Sequence, residues 1–141
     1  MTYAAFSFEM PTRIEYGMRV VDRLPGELSA LGAAKVLVVT DKGVRRAGLC
    51  DRVAALLSVA EVEHAVFDGV EANPKDRNIE EGAAIAREFG ADALIALGGG
   101  SPIDCAKAMG VLISYGGKIK QYEGRGKVTG PVIPWIAIPT T

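Results

Sequence analysis

The chain has 141 residues, 49% of them hydrophobic, and a formal net charge of −1 at pH 7. This length suffices for a domain with its own core, and we expect a single domain over residues 1–141. The near-neutral charge does not suggest a nucleic-acid partner, and the strand-sized apolar runs exclude a transmembrane helix and a membrane partner. The N-terminus lacks the features of a signal peptide. Two isolated cysteines, Cys50 and Cys105, are typical of free thiols in a reducing cytoplasm, where we place the protein.

Strand and helix patterns alternate along the chain. The predicted elements are, in order, a strand at 13–17, a helix over 20–31 interrupted by Pro25-Gly26, a strand at 35–40, a helix over 44–57, a strand at 61–67, a helix over 75–89, a strand at 93–97, a helix to about residue 115, a short helix at 119–122 and a strand at 135–138. Strands separated by helices of this length imply βαβ units with right-handed crossovers. We therefore predict an α/β fold, with a Rossmann-like parallel sheet covered by helices on both faces.

Three consecutive glycines join the strand at 93–97 to the helix that follows. Gly98, Gly99 and Gly100 carry no Cβ, so their backbone N–H groups can approach a ligand closely. The start of the helix adds unpaired N–H groups and a partial positive charge, and this combination is a site for phosphate. The alternative is a well-capped helix after a glycine-rich turn. A single glycine would be enough for such a turn, whereas three glycines lose more backbone entropy on folding without a packing reason.

The residues after the glycines predict how this helix begins. Ser101 is a favourable N-cap, and Pro102 suits the first helical position. Asp104 lies three residues after the cap, which approximates a capping box. We therefore expect Ser101 to cap the helix and Asp104 to support the cap.

Asp41 is a second candidate for cofactor binding, because it follows the strand at 35–40. A carboxylate at the carboxyl end of a parallel strand can accept a hydrogen bond from a ribose 2′-hydroxyl. It would also repel a 2′-phosphate, which favours NAD over NADP. An ordinary Asp-x-Gly turn is the alternative, and on this residue alone both interpretations stay open. Asp41 precedes the glycines, which is the reverse of the usual dinucleotide fingerprint.

Several segments in register resemble the N-terminal domain of the iron-containing, metal-dependent alcohol dehydrogenases. They are Thr40-Asp41-Lys42-Gly43, Asp68-Gly69-Val70-Glu71-Ala72-Asn73-Pro74, the run from Gly98 to Lys107, and Ile138-Pro139-Thr140-Thr141. Their order and spacing extend along nearly the whole chain from about residue 6. The resemblance implies the N-terminal fold of the dehydroquinate synthase-like proteins.

This resemblance implies NAD as the cofactor and assigns residues to it. It assigns Gly98, Gly99, Gly100 and Ser101 to the pyrophosphate, Asp41 to the adenosine ribose, and Asn73, Thr140 and Thr141 to the cofactor cleft. Asp104 is expected to cap and orient the helix beside the cofactor. We expect no catalytic residue and no metal ligand in this chain.

The resemblance also implies groups that this chain does not carry. In the family, a following helical domain supplies one aspartate and three histidines that bind Fe²⁺ or another divalent metal, which polarises the alcohol oxygen during hydride transfer. The only histidine here, His64, is interpreted as an ordinary strand residue. We therefore expect the C-terminal helical domain to be missing and the chain to be a fragment. The whole enzyme would interconvert a small alcohol with its aldehyde or ketone, and the chain alone would be inactive.

Two other classes of function stay open. The chain could be a non-catalytic nucleotide-binding module of natural length. It could also be a dimerisation module, since the family's N-terminal strand pairs between subunits and Phe6-Ser7-Phe8-Glu9 could do so here. The resemblance accordingly implies a homodimer.

Overall fold

A computed structural model describes residues 11–140. The predicted pairing segment at 6–9 and Thr141 lie outside the described residues. The strands are β1 (Lys35–Val39), β2 (Glu63–Phe67), β3 (Ala93–Gly98) and β4 (Trp135–Pro139). The α-helices are α1 (Leu24–Ala30), α2 (Lys42–Arg46), α3 (Leu49–Val59), α4 (Asp76–Phe89) and α5 (Gly100–Tyr115). Short 3₁₀ helices occupy Val20–Arg23 and Ile119–Tyr122, the second where a short helix is predicted.

The four strands form one parallel sheet in the order β2-β1-β3-β4. The step from β1 to β2 extends the sheet in one direction, and the step from β3 to β4 extends it in the other. The strand order therefore reverses between β1 and β3, as in doubly wound α/β folds. This arrangement confirms the predicted Rossmann-like α/β class.

Two apolar cores lie on opposite faces of this sheet, because successive side chains of a strand point to opposite sides. Leu37 and Val39 of β1 belong to the core beneath α4 and α5. Val36 and Val38 belong to the core beneath α1 and α3. All four side chains are fully buried, which explains the continuous apolar run of β1. Helices therefore cover both faces of the sheet, as predicted.

The predicted strand at 13–17 is wrong. This segment is irregular and joins none of the four strands of the sheet. Its side chains are open to solvent, with Ile14 67% and Tyr16 99% exposed. The apolar alternation resembles that of a half-buried strand, but a strand forms only where another strand supplies its hydrogen bonds.

Two predicted helices begin or divide differently from the expectation. Pro25 does not interrupt the first helix; it lies in the first turn of α1, where its missing N–H has no intrahelical partner to lose. The single helix predicted over 44–57 is instead two helices, α2 and α3. Gly48 separates them with a left-handed backbone (φ 83°), which glycine adopts at little cost. Within residues 11–140, no helix combines the length and apolar character needed to cross a bilayer.

We predict that Leu37→Ala lowers the free energy of unfolding by about 2–5 kcal/mol, because it leaves a cavity at the centre of the sheet. Leu37 is fully buried, whereas Val59 at the end of α3 is 87% exposed. Val59→Ala is the control and should change stability by no more than about 0.5 kcal/mol. Urea denaturation followed by circular dichroism measures both values, and equal effects of the two substitutions would contradict this packing.

Candidate functional site

The carboxyl ends of the parallel strands bring the predicted site residues to one edge of the sheet. Asp41 follows β1, the loop at 68–74 follows β2, the glycine turn ends β3, and Thr140 follows β4. The N–H of Thr140 donates to the carbonyl oxygen of Gly98 at 3.0 Å, which holds the end of β4 against the turn. Asp41 and the turn flank the point where the strand order reverses, which is where open α/β sheets bind ligands.

The glycines of the turn serve different purposes. Gly98 has φ 147°, and a Cβ there would lie 2.7 Å from Cγ of Pro102 and 3.4 Å from Cγ2 of Val44. Packing therefore requires glycine at this position. A Cβ on Gly100 would meet no atom within 4 Å. Nothing in the described packing requires Gly100 to lack a side chain, so the space above it is open to a ligand.

The helix after the turn begins two residues earlier than predicted. Gly99 is its N-cap, with an extended backbone, and Gly100 is its first helical residue. No side chain caps the helix, so the predicted cap by Ser101 and the predicted capping box with Asp104 are both wrong. Pro102 is the third helical residue rather than the first, and it is tolerated because the first four N–H groups of a helix have no intrahelical acceptor.

This earlier start changes which groups face the edge of the sheet. The N–H groups of Gly100 and Ser101 belong to the first helical turn, where intrahelical acceptors are absent. They lie beside the open space above Gly100 at the positive end of a 16-residue helix. Asp104 is exposed one turn further along α5. An anion at the turn would therefore meet backbone donors before it meets any side chain.

The structure shows a turn and capping role for Asp41, whereas its contact with a ribose stays a prediction. Its Oδ1 accepts the N–H of Val44 at 2.8 Å and so caps the short helix α2. Its backbone also forms an isolated bridge to Gly69, which joins the ends of β1 and β2. Among residues 11–140, no donor forms a hydrogen bond with the other carboxylate oxygen, Oδ2. One carboxylate oxygen thus serves the fold while the other can accept a ligand hydroxyl.

A shallow hollow of about 310 Å³ adjoins this carboxylate. It is lined by Asp41, Lys42, Gly43, Asp68, Gly69, Val70 and Glu71. Asp68 accepts a hydrogen bond from Nη1 of Arg45 at 2.7 Å, and Nζ of Lys42 lies 3.5 Å from its other oxygen. The Arg45 hydrogen bond, followed by the charge of Lys42, holds the pKa of Asp68 below its ordinary value. Asp68 is therefore ionised at neutral pH.

Three residues of this edge have structural contacts that were not predicted from the sequence. Thr40 is fully buried, and its hydroxyl donates to the carbonyl oxygen of Leu97 at 2.7 Å across the point of strand reversal. Asn78 is also buried; its Nδ2 donates to the carbonyl oxygen of Gly69 and its Oδ1 accepts the N–H of Lys75. Asp68 belongs to a segment that carries the family resemblance, but the sequence alone assigns no role to it. A polar residue at an otherwise apolar position was the available signal for Thr40 and Asn78.

Asn73 lies on the loop after β2, with an exposed side chain and a left-handed backbone (φ 53°) that asparagine tolerates. This loop leaves the strand next to β1, so Asn73 belongs to the same edge of the sheet as Asp41. Its contact with a cofactor stays a prediction, as does that of Thr140. The prediction for Thr141 lies outside the described residues.

The described residues do not fit a metal ion. Within residues 11–140, no three His, Cys, Asp or Glu side chains come together as a possible metal site. His64 lies half-buried on β2, and its Nδ1 is 2.9 Å from the carbonyl oxygen of Val62. Burial raises the pKa of Cys105 to about 12, so its thiol is neutral at physiological pH and is not the thiolate that metals prefer.

The sheet order, the two helical layers and the cluster of strand ends define a doubly wound, Rossmann-like α/β domain. The chain belongs to the iron-containing alcohol dehydrogenase family, whose model matches residues 11–141.

The chain is similar to part of several known proteins of this kind. The 1,3-propanediol dehydrogenase of Klebsiella pneumoniae is 38% identical over 143 residues, covering 100% of this chain and 37% of that protein. The solved alcohol dehydrogenase from Oenococcus oeni is 33% identical with a TM-score of 0.90, over 97% of this chain and 36% of that one. The sulfoacetaldehyde reductase from Bifidobacterium kashiwanohense, solved in complex with NAD⁺, is 26% identical with a TM-score of 0.86, over 98% and 36%. The chain thus spans about a third of the length of these relatives.

We predict opposite stability effects for alanine at two glycines of the turn. Gly98→Ala should lower the free energy of unfolding by roughly 1–3 kcal/mol, because it strains a positive φ and brings a methyl group against Pro102. Gly100→Ala should be neutral or slightly stabilising, by up to about 1 kcal/mol, because alanine favours the helix. Urea denaturation compares the two variants. A Gly98→Ala chain as stable as the Gly100→Ala chain would be inconsistent with the described turn.

Proposed function

We propose that this chain is the NAD-binding part of an iron-dependent alcohol dehydrogenase that transfers hydride between a small alcohol and a nicotinamide cofactor. One observation carries the proposal. At the point of strand reversal, a glycine turn with open space above Gly100 lies next to a carboxylate, Asp41, that has an oxygen available.

The glycine turn fits the pyrophosphate of the cofactor. The N–H groups of Gly100 and Ser101 can donate to phosphate oxygens, and the positive end of α5 favours their negative charge. Gly98 shapes the turn, and Gly99 caps the helix with its backbone. Because α5 has no side-chain cap, a phosphate group replaces the missing acceptor.

Asp41 fits the adenosine ribose. Its Oδ2 can accept a hydrogen bond from the 2′-hydroxyl while Oδ1 holds α2 in place. A 2′-phosphate would meet the negative charge of this oxygen, which supports NAD rather than NADP. The solved sulfoacetaldehyde reductase, a relative of similar fold, is in complex with NAD⁺ and supports the same cofactor class.

The remaining predicted contacts come from the two flanking strands. Thr140 is held beside Gly98 by a backbone hydrogen bond, which supports its proposed position next to the pyrophosphate. Asn73 lies on the other side, on the loop after β2. We include Thr141 and Asp104 in the proposed cofactor site on the family resemblance alone.

The chain matches about a third of the length of its relatives, and this coverage supports a division of labour within the whole protein. We propose that this chain binds NAD(H) without turning over alcohol, and that the groups which bind the metal and the alcohol or aldehyde belong to other parts of the enzyme. The buried free cysteines Cys50 and Cys105 support a cytoplasmic location. We include a homodimer on the family resemblance alone.

We predict that Gly100→Ala lowers the affinity for NADH by about tenfold or more (about 1.4 kcal/mol) while the chain stays folded. The new methyl group would occupy the open space that the phosphate needs. Gly26→Ala is the matched control, because Gly26 also lies in a helix, belongs to α1 rather than to α5, and would have no atom within 4 Å of an added methyl group. NADH fluorescence titration measures affinity. Equal binding by the two variants would argue against a phosphate at Gly100.

We predict that Asp41→Gly raises the affinity for NADPH relative to NADH, because it removes the carboxylate that faces the 2′-position. Glycine is an acceptable N-cap, so the loss of helix stability should be only a few tenths of a kcal/mol. Titration with both nucleotides gives the ratio of affinities, and thermal denaturation checks the fold. A ratio that does not change would remove Asp41 from the proposed ribose site.

A further inference from the structure

We propose that Asp68 is a second specificity residue of the cofactor site, which withholds Lys42 and Arg45 from the 2′-phosphate of NADP(H). This inference rests on the proposed nucleotide-binding function. The sequence alone assigns no role to Asp68 itself, although the loop that it begins is one of the segments that carry the family resemblance. Its role follows from where the neighbouring strands place it.

Asp68 and Asp41 face the same hollow from neighbouring strands. Asp68 directly follows β2, and the next residue, Gly69, forms the backbone bridge to Asp41. Both aspartates line the hollow of about 310 Å³ next to the proposed ribose position. A phosphate on the ribose 2′-oxygen would therefore enter a space that both carboxylates line.

Asp68 engages two cations of α2, of which Lys42 lines the hollow. Arg45 Nη1 lies 2.7 Å from one carboxylate oxygen, and Lys42 Nζ lies 3.5 Å from the other. The Asp68 side chain is 26% exposed, whereas those of Arg45 and Lys42 are 52% and 68% exposed. The two more exposed cations thus both pair with the less exposed carboxylate of Asp68.

The charges of the hollow show what Asp68 changes. The two carboxylates of Asp41 and Asp68 equal the two cations Lys42 and Arg45 in number, so an added phosphate gains no net attraction. Without the charge of Asp68, two cations would stand beside one carboxylate, and both could pair with a phosphate. The last acid of the hollow, Glu71, is paired with Arg77 at 2.6 Å and does not compete for these cations. Because the pKa of Asp68 is lowered, its carboxylate stays charged throughout the neutral range, and the charge balance of the hollow is kept.

A purely structural role is the alternative, because Asp68 also ties α2 to the loop at 68–74. Loss of that tie would weaken the binding of every nucleotide by the same factor. A specificity role changes the ratio between NADPH and NADH, which differ only in the 2′-phosphate. The ratio of the two affinities therefore separates the alternatives.

The test is calorimetric titration of the 141-residue chain with NADH and with NADPH. In Asp68→Asn, which keeps the shape but removes the charge, the NADPH-to-NADH affinity ratio should rise about tenfold, and the gain should shrink at high salt. NADH affinity should change less than about twofold. Glu63→Gln is the control, since it removes one negative charge from a 65%-exposed side chain at the amino end of β2, and it should leave the ratio unchanged.

Arg45→Gln provides a second test in which Asp68 keeps its charge. Removing one cation should lower the NADPH-to-NADH affinity ratio by about threefold to tenfold. In the double variant, Arg45→Gln should cancel most of the rise in this ratio that Asp68→Asn produces alone. The inference is overturned if NADH binds but Asp68→Asn and Arg45→Gln leave the ratio unchanged, or if both affinities move by the same factor. If the unchanged chain binds neither nucleotide, the proposed function itself fails.

Discussion

The parallel register of β1 against both of its neighbours is the constraint on which the site depends. Val39 pairs with Phe67 of β2 and with Ala96 of β3, so the three strands end at nearly the same level. The buried hydroxyl of Thr40 then ties β1 to β3 immediately beyond the last paired residues. Asp41, Asp68 and the glycine turn are remote from one another in sequence, yet this register makes them neighbours.

Patterns within one element predicted much of the fold. The apolar strands β1 and β3, and α4 with its C-terminal Gly90 (φ 80°), carry strong local signals, and they form where the sequence indicates. The segment at 13–17 alternates like a strand but has no partner strand in the described sheet, and the start of α5 is fixed by the backbone of Gly99 rather than by Ser101. Both predictions failed because a local sequence pattern does not show which strand or backbone group will lie beside the segment.

The candidate site was predictable to a different extent. Asp41 and the glycine turn could be placed at one edge of the sheet because each directly follows a strong strand pattern. The ion pairs of Asp68 could not, because Lys42 and Arg45 become its neighbours only when β2 pairs with β1. The sequence supported either role of Asp41, and only the folded structure shows that the cap uses one carboxylate oxygen and leaves the other available.

The shared carboxylate of Asp41 has a consequence for how cofactor preference could evolve in this chain. A replacement at Asp41 alters ligand choice and the start of α2 together, so selection at that position acts on foldability as well as on chemistry. A replacement at Asp68 alters the electrostatic balance of the hollow and leaves the helix cap intact. On the proposed function, Asp68 is therefore a position at which cofactor preference could change while the cap of α2 stays in place.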